Sequence, residues 1–206
     1  MRPSFEETFM LKAMIAATRS NCLIRHVGAV LVRDNRVIAD GYNGAPPDVE
    51  TCLEKQVCFY QGLAYQDSLI EGQGSYEDLK EKRKDFCVVI HAEKNAYNQC
   101  SRFGVSAQGA TLYCTNYPCP GCVRDVIIPN KTVEVVVWKD YLRNKLLTID
   151  EYGLSQSLLV QAGVKLRKFD LPKARIREIF EMALLAGDRT DYQFHPLQLV
   201  KSPAQE

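Results

Sequence analysis

Two short stretches of the chain carry the residue types of a metal-dependent enzyme. The first is His91-Ala92-Glu93, and the second is Pro118-Cys119-Pro120-Gly121-Cys122. Together they offer one imidazole and two thiolates for a metal, and a carboxylate that is poorly placed to be a fourth ligand. A structural zinc is closed by four protein ligands, whereas a catalytic zinc keeps a position for water. The pattern therefore predicts a catalytic zinc with Glu93 as its proton carrier.

These motifs taken singly allow other interpretations. A lone C-x-x-C can be a thioredoxin-like redox pair, and a lone H-x-E carries little information. The redox interpretation leaves His91 and Glu93 without a role. A zinc ion on His91, Cys119 and Cys122 would lower the pKa of its bound water from about 15.7 to roughly 7, and Glu93 would carry the released proton. We therefore favour the zinc site.

The apolar pattern predicts which elements hold these residues. Val88 to Ile90 leads into a helix that carries His91 and Glu93, followed by Ala96 and Tyr97. A second helix starts at Cys119, where a flanking proline suits the first turn. Both sets of ligands then lie at helix N-termini. The partial positive charge there favours thiolate over thiol and hydroxide over water.

Strands and helices alternate along the rest of the chain, which predicts a three-layer α/β/α sandwich. We expect a single domain over residues 1–206, with an insertion over 45–86 and a C-terminal helix and tail over 170–206. The tail either covers a sheet edge or a neighbouring chain, or it frays. The other predicted elements are a helix over 5–18, strands over 27–32 and 36–42 joined by a turn at 34–36, strands over 111–115 and 133–138, a helix over 154–162, a strand over 164–166 and an amphipathic helix over 173–185.

Composition limits the classes of function. The chain has 206 residues, 46% of them hydrophobic, and 26 Lys and Arg against 25 Asp and Glu give a net charge of +1. This balance predicts no nucleic-acid partner. Residues 1–9 lack the pattern of a secretory signal, and the absence of a long apolar run predicts no membrane span. We therefore expect a cytoplasmic protein whose eight cysteines are metal ligands or buried residues.

Four cysteines outside the predicted catalytic site suggest a second metal. Cys22, Cys52, Cys58 and Cys87 lie near the ends of the polar insertion and could form a Cys₄ structural zinc site. The alternative is a set of unligated, half-buried thiols, because no C-x₂₋₄-C pair occurs among them. The remaining two cysteines, Cys100 and Cys114, are predicted to be core residues.

Three motifs in order resemble one enzyme family. The segments 41–46 (GYNGAP), 91–96 (HAEKNA) and 118–122 (PCPGC) look like those of deoxycytidylate (dCMP) deaminases, which have the cytidine deaminase-like fold. The segment 22–30 (CLIRHVGAV) is similar to the family's first strand. The resemblance covers roughly residues 5–167 and implies a central mixed five-stranded sheet. G-Y-N-G separates this branch from transfer-RNA adenosine deaminases, and Tyr97 departs from the small aliphatic residue common in the family.

The resemblance implies a role for individual residues. Glu93 would protonate the pyrimidine N3 and then the leaving ammonia, as hydroxide attacks C4. The amide of Ala92 would bind O2 of the base, and the carbonyl of Pro118 would accept a hydrogen bond from the 4-amino group. Asn43 would hold the deoxyribose, and Val27 and Tyr117 would flank the base. The phosphate would be bound by Arg25, His26 and Lys94. Many bacterial members have cysteines matching Cys22, Cys52, Cys58 and Cys87, and some bind a second zinc there.

The resemblance also implies regulation. Many dCMP deaminases are hexamers that dCTP activates and dTTP inhibits, with Mg²⁺, through a site near the segment that contains Gly41, Tyr42 and Gly44. We therefore expect a homo-oligomer that deaminates dCMP to dUMP. The alternatives are a broader nucleotide range that includes dCTP, a deaminase of polynucleotides, and a non-enzymatic zinc module.

Overall fold

The computed structural model describes residues 2–56, 58, 87–138 and 149–185. The predicted insertion over 45–86 lies largely outside these ranges, as does the predicted tail after residue 185. No helix in the described part of the chain has the length and apolar character needed to cross a lipid bilayer. The elements are α1 (Phe5–Ala17), β1 (Gly28–Arg33), β2 (Arg36–Tyr42), α2 (Cys52–Lys55), α3 (Ala92–Arg102), β3 (Thr111–Cys114), α4 (Pro120–Cys122), β4 (Glu134–Val137), α5 (Ile149–Gln161), β5 (Lys165–Lys168) and α6 (Lys173–Leu185).

The five strands form one mixed sheet in the order β2-β1-β3-β4-β5. Strand β1 pairs antiparallel with both β2 and β3, while β3, β4 and β5 run parallel. Antiparallel strands can be joined by a tight turn, whereas parallel strands need a crossover. The chain follows this rule, because α4 and α5 lie in the crossovers of the parallel part. The predicted mixed five-stranded sheet is confirmed.

A two-residue turn joins β1 to β2. Asp34 and Asn35 have φ values of 51° and 56°, and Arg33 pairs with Arg36. Positive φ at both central residues is typical of the type I′ turn, whose twist matches that of the flanking strands. Asn and Asp adopt this conformation more readily than most residues.

The two faces of the sheet are covered by different helices. On one face, Phe9 of α1 packs against Tyr113 of β3 with ring centroids 5.4 Å apart. On the other face, Leu31 and Leu112 join a buried cluster with residues of α3, of α5 and of the π-helical turn that follows α4. Successive side chains of a strand point to opposite faces, so neighbouring residues in β3 serve different layers. This arrangement is the predicted α/β/α sandwich.

Several element boundaries differ from prediction. Helix α5 begins at Ile149, five residues before the predicted start. Asp150 and Glu151 in its first turn complement the helix dipole, and the helix continues through Gly153 despite the cost of glycine. The helix predicted from Cys119 is α-helical only over α4 and continues as a π-helical turn over Val123–Ile127. Cys100 and Cys114 are 2% and 0% exposed, as expected of core residues.

The chain divides into two compact units, residues 1–171 and 172–206. The first contains the whole sheet and the helices α1 to α5. In the second, the described residues form α6, whose bounds match the predicted helix over 173–185. A single domain over the full chain stays a prediction.

Candidate active site

Two helix starts bring the predicted metal ligands together. His91 is the N-cap residue of α3, and Cys119 is the N-cap residue of α4. Cys122 ends α4 and is fully buried. The Nδ1 atom of His91 lies 3.4 Å from the sulfur of Cys119 and 3.4 Å from that of Cys122. Residues 28 and 31 positions apart thus converge on one point.

The spacing of these three atoms suits a zinc ion. Zn–N bonds of about 2.0–2.1 Å and Zn–S bonds of about 2.3 Å place nitrogen and sulfur about 3.6 Å apart at a tetrahedral zinc. The two observed distances of 3.4 Å are close to this value. In the described part of the chain, these are the three ligand atoms that lie within 4.8 Å of one another. Three protein ligands leave a fourth position for water.

The electrostatics of the site favour thiolate. Hydrogen bonding from the Cys122 side chain, aided by His91, lowers the pKa of Cys119 to about 4. The backbone N–H of Cys122 also points at the Cys119 sulfur, at 3.5 Å. The hydrogen bond with Cys119 in turn raises the pKa of His91. A thiolate is the metal-binding form of cysteine, so Cys119 is ready to bind zinc at neutral pH.

Glu93 lies in the first turn of α3, beside the metal ligands. Its side chain is buried, with 4% exposure, and it lines the same cavity as His91. Burial raises the pKa of its carboxyl group, while the charge of His91 opposes that shift. A carboxylate with a raised pKa accepts a proton more readily near neutral pH, which is the property of a general acid and base.

A cavity of about 460 Å³ opens beside these residues. Ala92, Val27 and Tyr117 line it, as the predicted contacts with a base require. The ring of Tyr117 is held by Tyr152 of α5, with centroids 4.6 Å apart. Pro118 is fully buried and is not among the lining residues. Ala92 is the first residue of α3, where backbone N–H groups lack intrahelical partners.

Asn43 lines the cavity, but its side chain also has partners within the protein. Its Oδ1 accepts a hydrogen bond from the backbone N–H of Val27 at 2.7 Å, and its Nδ2 donates to the Arg25 carbonyl at 2.9 Å. One hydrogen of the side-chain amide remains available for a ligand. The side chain is buried and ties the segment before β1 to the residue that follows β2.

The three predicted phosphate ligands differ in their surroundings. Arg25 lines the cavity and is exposed at its rim. His26 is exposed but is not a lining residue. Lys94 forms an ion pair with Asp125 at 2.8 Å, a partner 31 positions away that the sequence pattern did not indicate. Arg25 is therefore the best placed of the three to meet a bound phosphate.

The residues predicted to bind an effector join β2 to α3. The carbonyl of Tyr42 accepts a hydrogen bond from Nδ2 of Asn95 at 2.8 Å. Gly44 and Ile90 exchange two backbone hydrogen bonds, at 3.1 and 2.8 Å. Gly41 packs directly on the first turns of α3. A change at this segment would therefore reach the helix that carries Glu93.

The four cysteines of the predicted second zinc site line the same cavity as His91. Burial raises the pKa of the Cys87 thiol, a hydrogen bond with the Val89 backbone opposes this shift, and the charges of the other three thiols add to it. Within the described ranges, no second group of three ligand atoms lies as close together as the group at His91. The members of this four-cysteine cluster are Cys22, Cys52, Cys58 and Cys87.

Other residues near the site were not predicted. Asn116 and Glu151 line the cavity, although neither belongs to a recognisable motif. Tyr97, one helical turn after Glu93, hydrogen-bonds through its hydroxyl group to that of Thr132. This hydrogen bond satisfies the buried hydroxyl group of Tyr97. The one sign of this contact in the sequence was that Tyr97 departs from the small aliphatic residue common in the family.

A model of a protein family matches residues 3–139, which contain the metal ligands and the four-cysteine cluster. The family is described as the cytidine and deoxycytidylate deaminase zinc-binding region. This chain belongs to that family. Its zinc-binding character agrees with the histidine and two cysteines that the structure brings together.

Relatives of this chain carry more specific names. The deoxycytidylate deaminase of Saccharomyces cerevisiae is 37% identical over 169 residues, which cover 82% of this chain and 46% of the yeast protein. The chain thus spans about half the length of that relative. The deoxycytidylate deaminase of Mycobacterium phage D29 is 36% identical over 137 residues, which cover 66% of this chain and 95% of the phage protein.

A solved structure has a similar fold. It is that of the dCMP deaminase from the cyanophage S-TIM5 in complex with dCMP and dUMP, with a TM-score of 0.57 and 25% identity. The similarity covers 82% of this chain and 99% of the phage chain. The predicted cytidine deaminase-like fold is thereby confirmed.

Proposed function

We propose that this chain catalyses the zinc-dependent hydrolysis of dCMP to dUMP and ammonia. The observation that carries the proposal is the convergence of His91 Nδ1 with two cysteine sulfurs at 3.4 Å, beside the buried carboxyl group of Glu93. Bound zinc supplies hydroxide near neutral pH. Water adds at C4 of the base, the bond from C4 to the amino nitrogen breaks, and the amino group leaves as ammonia.

The protein's own residues move the protons and orient the base. Glu93 takes one proton from the attacking water and passes it to N3 of the base, and then carries the second proton from the new C4 hydroxyl group to the departing amino nitrogen. The N–H of Ala92 meets O2 of the base, and the carbonyl of Pro118 accepts from the 4-amino group. Val27 and Tyr117 flank the ring. These contacts hold the base so that only C4 faces the site of attack, which lowers the entropy cost of the reaction.

The nucleotide's sugar and phosphate lie toward the exposed rim of the cavity. Asn43 meets the deoxyribose through its remaining amide hydrogen, and Arg25 meets the phosphate, with His26 and Lys94 as further cations nearby. The names of the relatives and the dCMP and dUMP in the S-TIM5 structure support a deoxycytidine nucleotide as substrate. The chain's net charge of +1 favours a small nucleotide over a polynucleotide.

The test is an assay of ammonia release with dCMP, dCTP, deoxycytidine and CMP in parallel. Turnover of dCMP well above the other three supports the proposal. Comparable turnover of dCTP would show a broader nucleotide range. If none of the four compounds releases ammonia, the proposal is contradicted, and a polynucleotide deaminase or a non-enzymatic zinc module remains. Protection of the protein by single-stranded DNA or RNA would favour the polynucleotide deaminase over the zinc module.

We also propose that the four-cysteine cluster binds a second, structural zinc. Supporting observations are that all four thiols line one cavity and that Cys87 is electrostatically coupled to the other three. Four thiolates suit a closed tetrahedral site. Metal analysis is expected to give two zinc ions per chain, falling to one in Cys87→Ser. Cys100→Ala, a core cysteine of α3, is the matched control and is expected to keep both.

We further propose regulation by dCTP and dTTP with Mg²⁺ at the segment that contains Gly41, Tyr42 and Gly44, in a hexamer. The support is the hydrogen bonding of this segment to α3 and to Ile90, which connects it to the catalytic helix. Titrating dCTP and dTTP into a dCMP assay tests the effectors, and sedimentation measures the oligomer. Turnover that both nucleotides leave unchanged, or a stable monomer, would contradict this proposal.

A further inference from the structure

Two buried polar side chains, Ser20 and Asn43, contact segment 25–27 of the cavity lining. Ser20 is 7% exposed and Asn43 is 5% exposed. A buried polar group costs free energy unless it forms hydrogen bonds. The partners of these two residues therefore show what their burial stabilises.

Asn43 holds the segment before β1 at three backbone atoms. Its side chain accepts from the Val27 N–H at 2.7 Å and donates to the Arg25 carbonyl at 2.9 Å. Its own backbone N–H donates to the Val27 carbonyl at 3.1 Å. The conformation of segment 25–27 is thus fixed by a residue that follows β2.

Ser20 completes this arrangement from the end of α1. Its hydroxyl donates to the carbonyl oxygen of Asn43 at 2.8 Å, and its oxygen lies 3.2 Å from the carbonyl oxygen of Arg25. The same oxygen accepts from the N–H of Cys22 at 3.3 Å. One hydroxyl therefore connects both ends of the α1–β1 loop to the Asn43 backbone.

We infer that Ser20 is a positioning residue that presents the Arg25 side chain to the substrate's phosphate. The inference rests on the proposed function, since Arg25 is the lining residue best placed for that phosphate. An arginine on a rigidly held segment loses less conformational entropy on binding than one on a loose segment. Ser20 thus acts on binding of the phosphorylated substrate and leaves the chemistry at C4 alone.

The experiment compares dCMP with deoxycytidine, which has no phosphate. Ser20→Ala is expected to raise KM for dCMP about tenfold, while kcat stays within about twofold. The kcat/KM for deoxycytidine is expected to change by less than about twofold. Ser20→Thr keeps the hydroxyl and is expected to restore KM. Thr18→Val is the matched control, because the Thr18 hydroxyl bonds to the Ile15 carbonyl within the same helix end.

A double-mutant cycle separates this role from general stability. In an Arg25→Gln background, Ser20→Ala is expected to add little to the rise in KM for dCMP. Additive losses, an equal loss with deoxycytidine, or an unchanged KM would each overturn the inference. If Ser20→Ala does not fold, Ser20→Cys, a weaker donor of similar shape, enters the same cycle. A wild-type enzyme with no dCMP turnover overturns the proposed function itself, and this role with it.

Discussion

Gly41 of β2 lies against the carbonyl oxygen of Ala92, the first residue of α3. A Cβ atom at this glycine would be 2.4 Å from that oxygen and 2.4 Å from the backbone nitrogen of Ala96. Both neighbours are backbone atoms, so neither can rotate away. The absence of a side chain at Gly41 therefore sets how closely the helix that carries Glu93 approaches the sheet.

Gly41→Ala is expected to destabilise the protein by about 1–3 kcal/mol, as overpacking does, and to reduce activity because α3 must move. Gly153→Ala in the interior of α5 is the matched control, since outside the helix's own backbone no atom of the described residues lies within 4 Å of its added Cβ. The control is expected to stabilise by about 0.5–1 kcal/mol. Chemical denaturation and the dCMP assay measure both variants. A Gly41→Ala enzyme with unchanged stability would show that α3 and β2 are not in close contact.

Glu93→Gln is expected to lower kcat for dCMP at least about 10²-fold, because the amide cannot carry the proton. Zinc content should stay at the wild-type level, since the three ligands are untouched. Asp125→Asn, an exposed carboxylate paired with Lys94, is the control and should keep most activity. An unchanged kcat in Glu93→Gln would show that Glu93 does not carry the proton.

The stability of the metal-free protein should respond to the charge of Glu93. Burial raises the pKa of this carboxyl group above its ordinary value of 4.5. The folded state then binds a proton more readily than the unfolded state, so the stability that the protonated group contributes is lost as pH rises through the folded pKa. In excess chelator, Glu93→Gln should therefore melt higher than wild type at pH 7, with the difference shrinking toward pH 4.5. A difference independent of pH would contradict this expectation.

Zinc binding is expected to release protons. Hydrogen bonding with Cys119 and burial raise the pKa of Cys122, and hydrogen bonding raises that of His91, yet both must lose their protons to become ligands. Zinc affinity should therefore fall as pH drops. Calorimetry in buffers with different ionisation enthalpies counts the protons. A heat of binding that is the same in all buffers would show that the site is already deprotonated.

The metal ligands could be predicted from the sequence because their chemistry depends on short spacings. Cys119 and Cys122 lie on one helical turn, and Glu93 follows His91 by two residues, so local structure alone fixes each half of the site. The alternation of elements likewise predicted the layers of the sheet. Even the I′ turn at residues 34–35 is a local property of Asp and Asn.

Contacts between residues that are far apart in the sequence could not be predicted from it. Nothing in the pattern indicated that Lys94 would pair with Asp125, or that Ser20 would meet Asn43 across 23 positions. Such pairs depend on how the helices pack, which periodicity does not specify. The early start of α5 was missed for a different reason, because Gly153 lowers the helix propensity just before the predicted start.

Strand β1 is buried at five of its six residues and hydrogen-bonded on both sides. Amides in such a strand exchange with solvent only when the whole molecule opens. Val27, which lines the cavity, directly precedes this strand, whereas Cys52, another lining residue, belongs to a helix of four residues. Amide exchange around the cavity is therefore expected to be asymmetric: the β1 side opens with global unfolding, while the short helix at Cys52 opens locally and earlier.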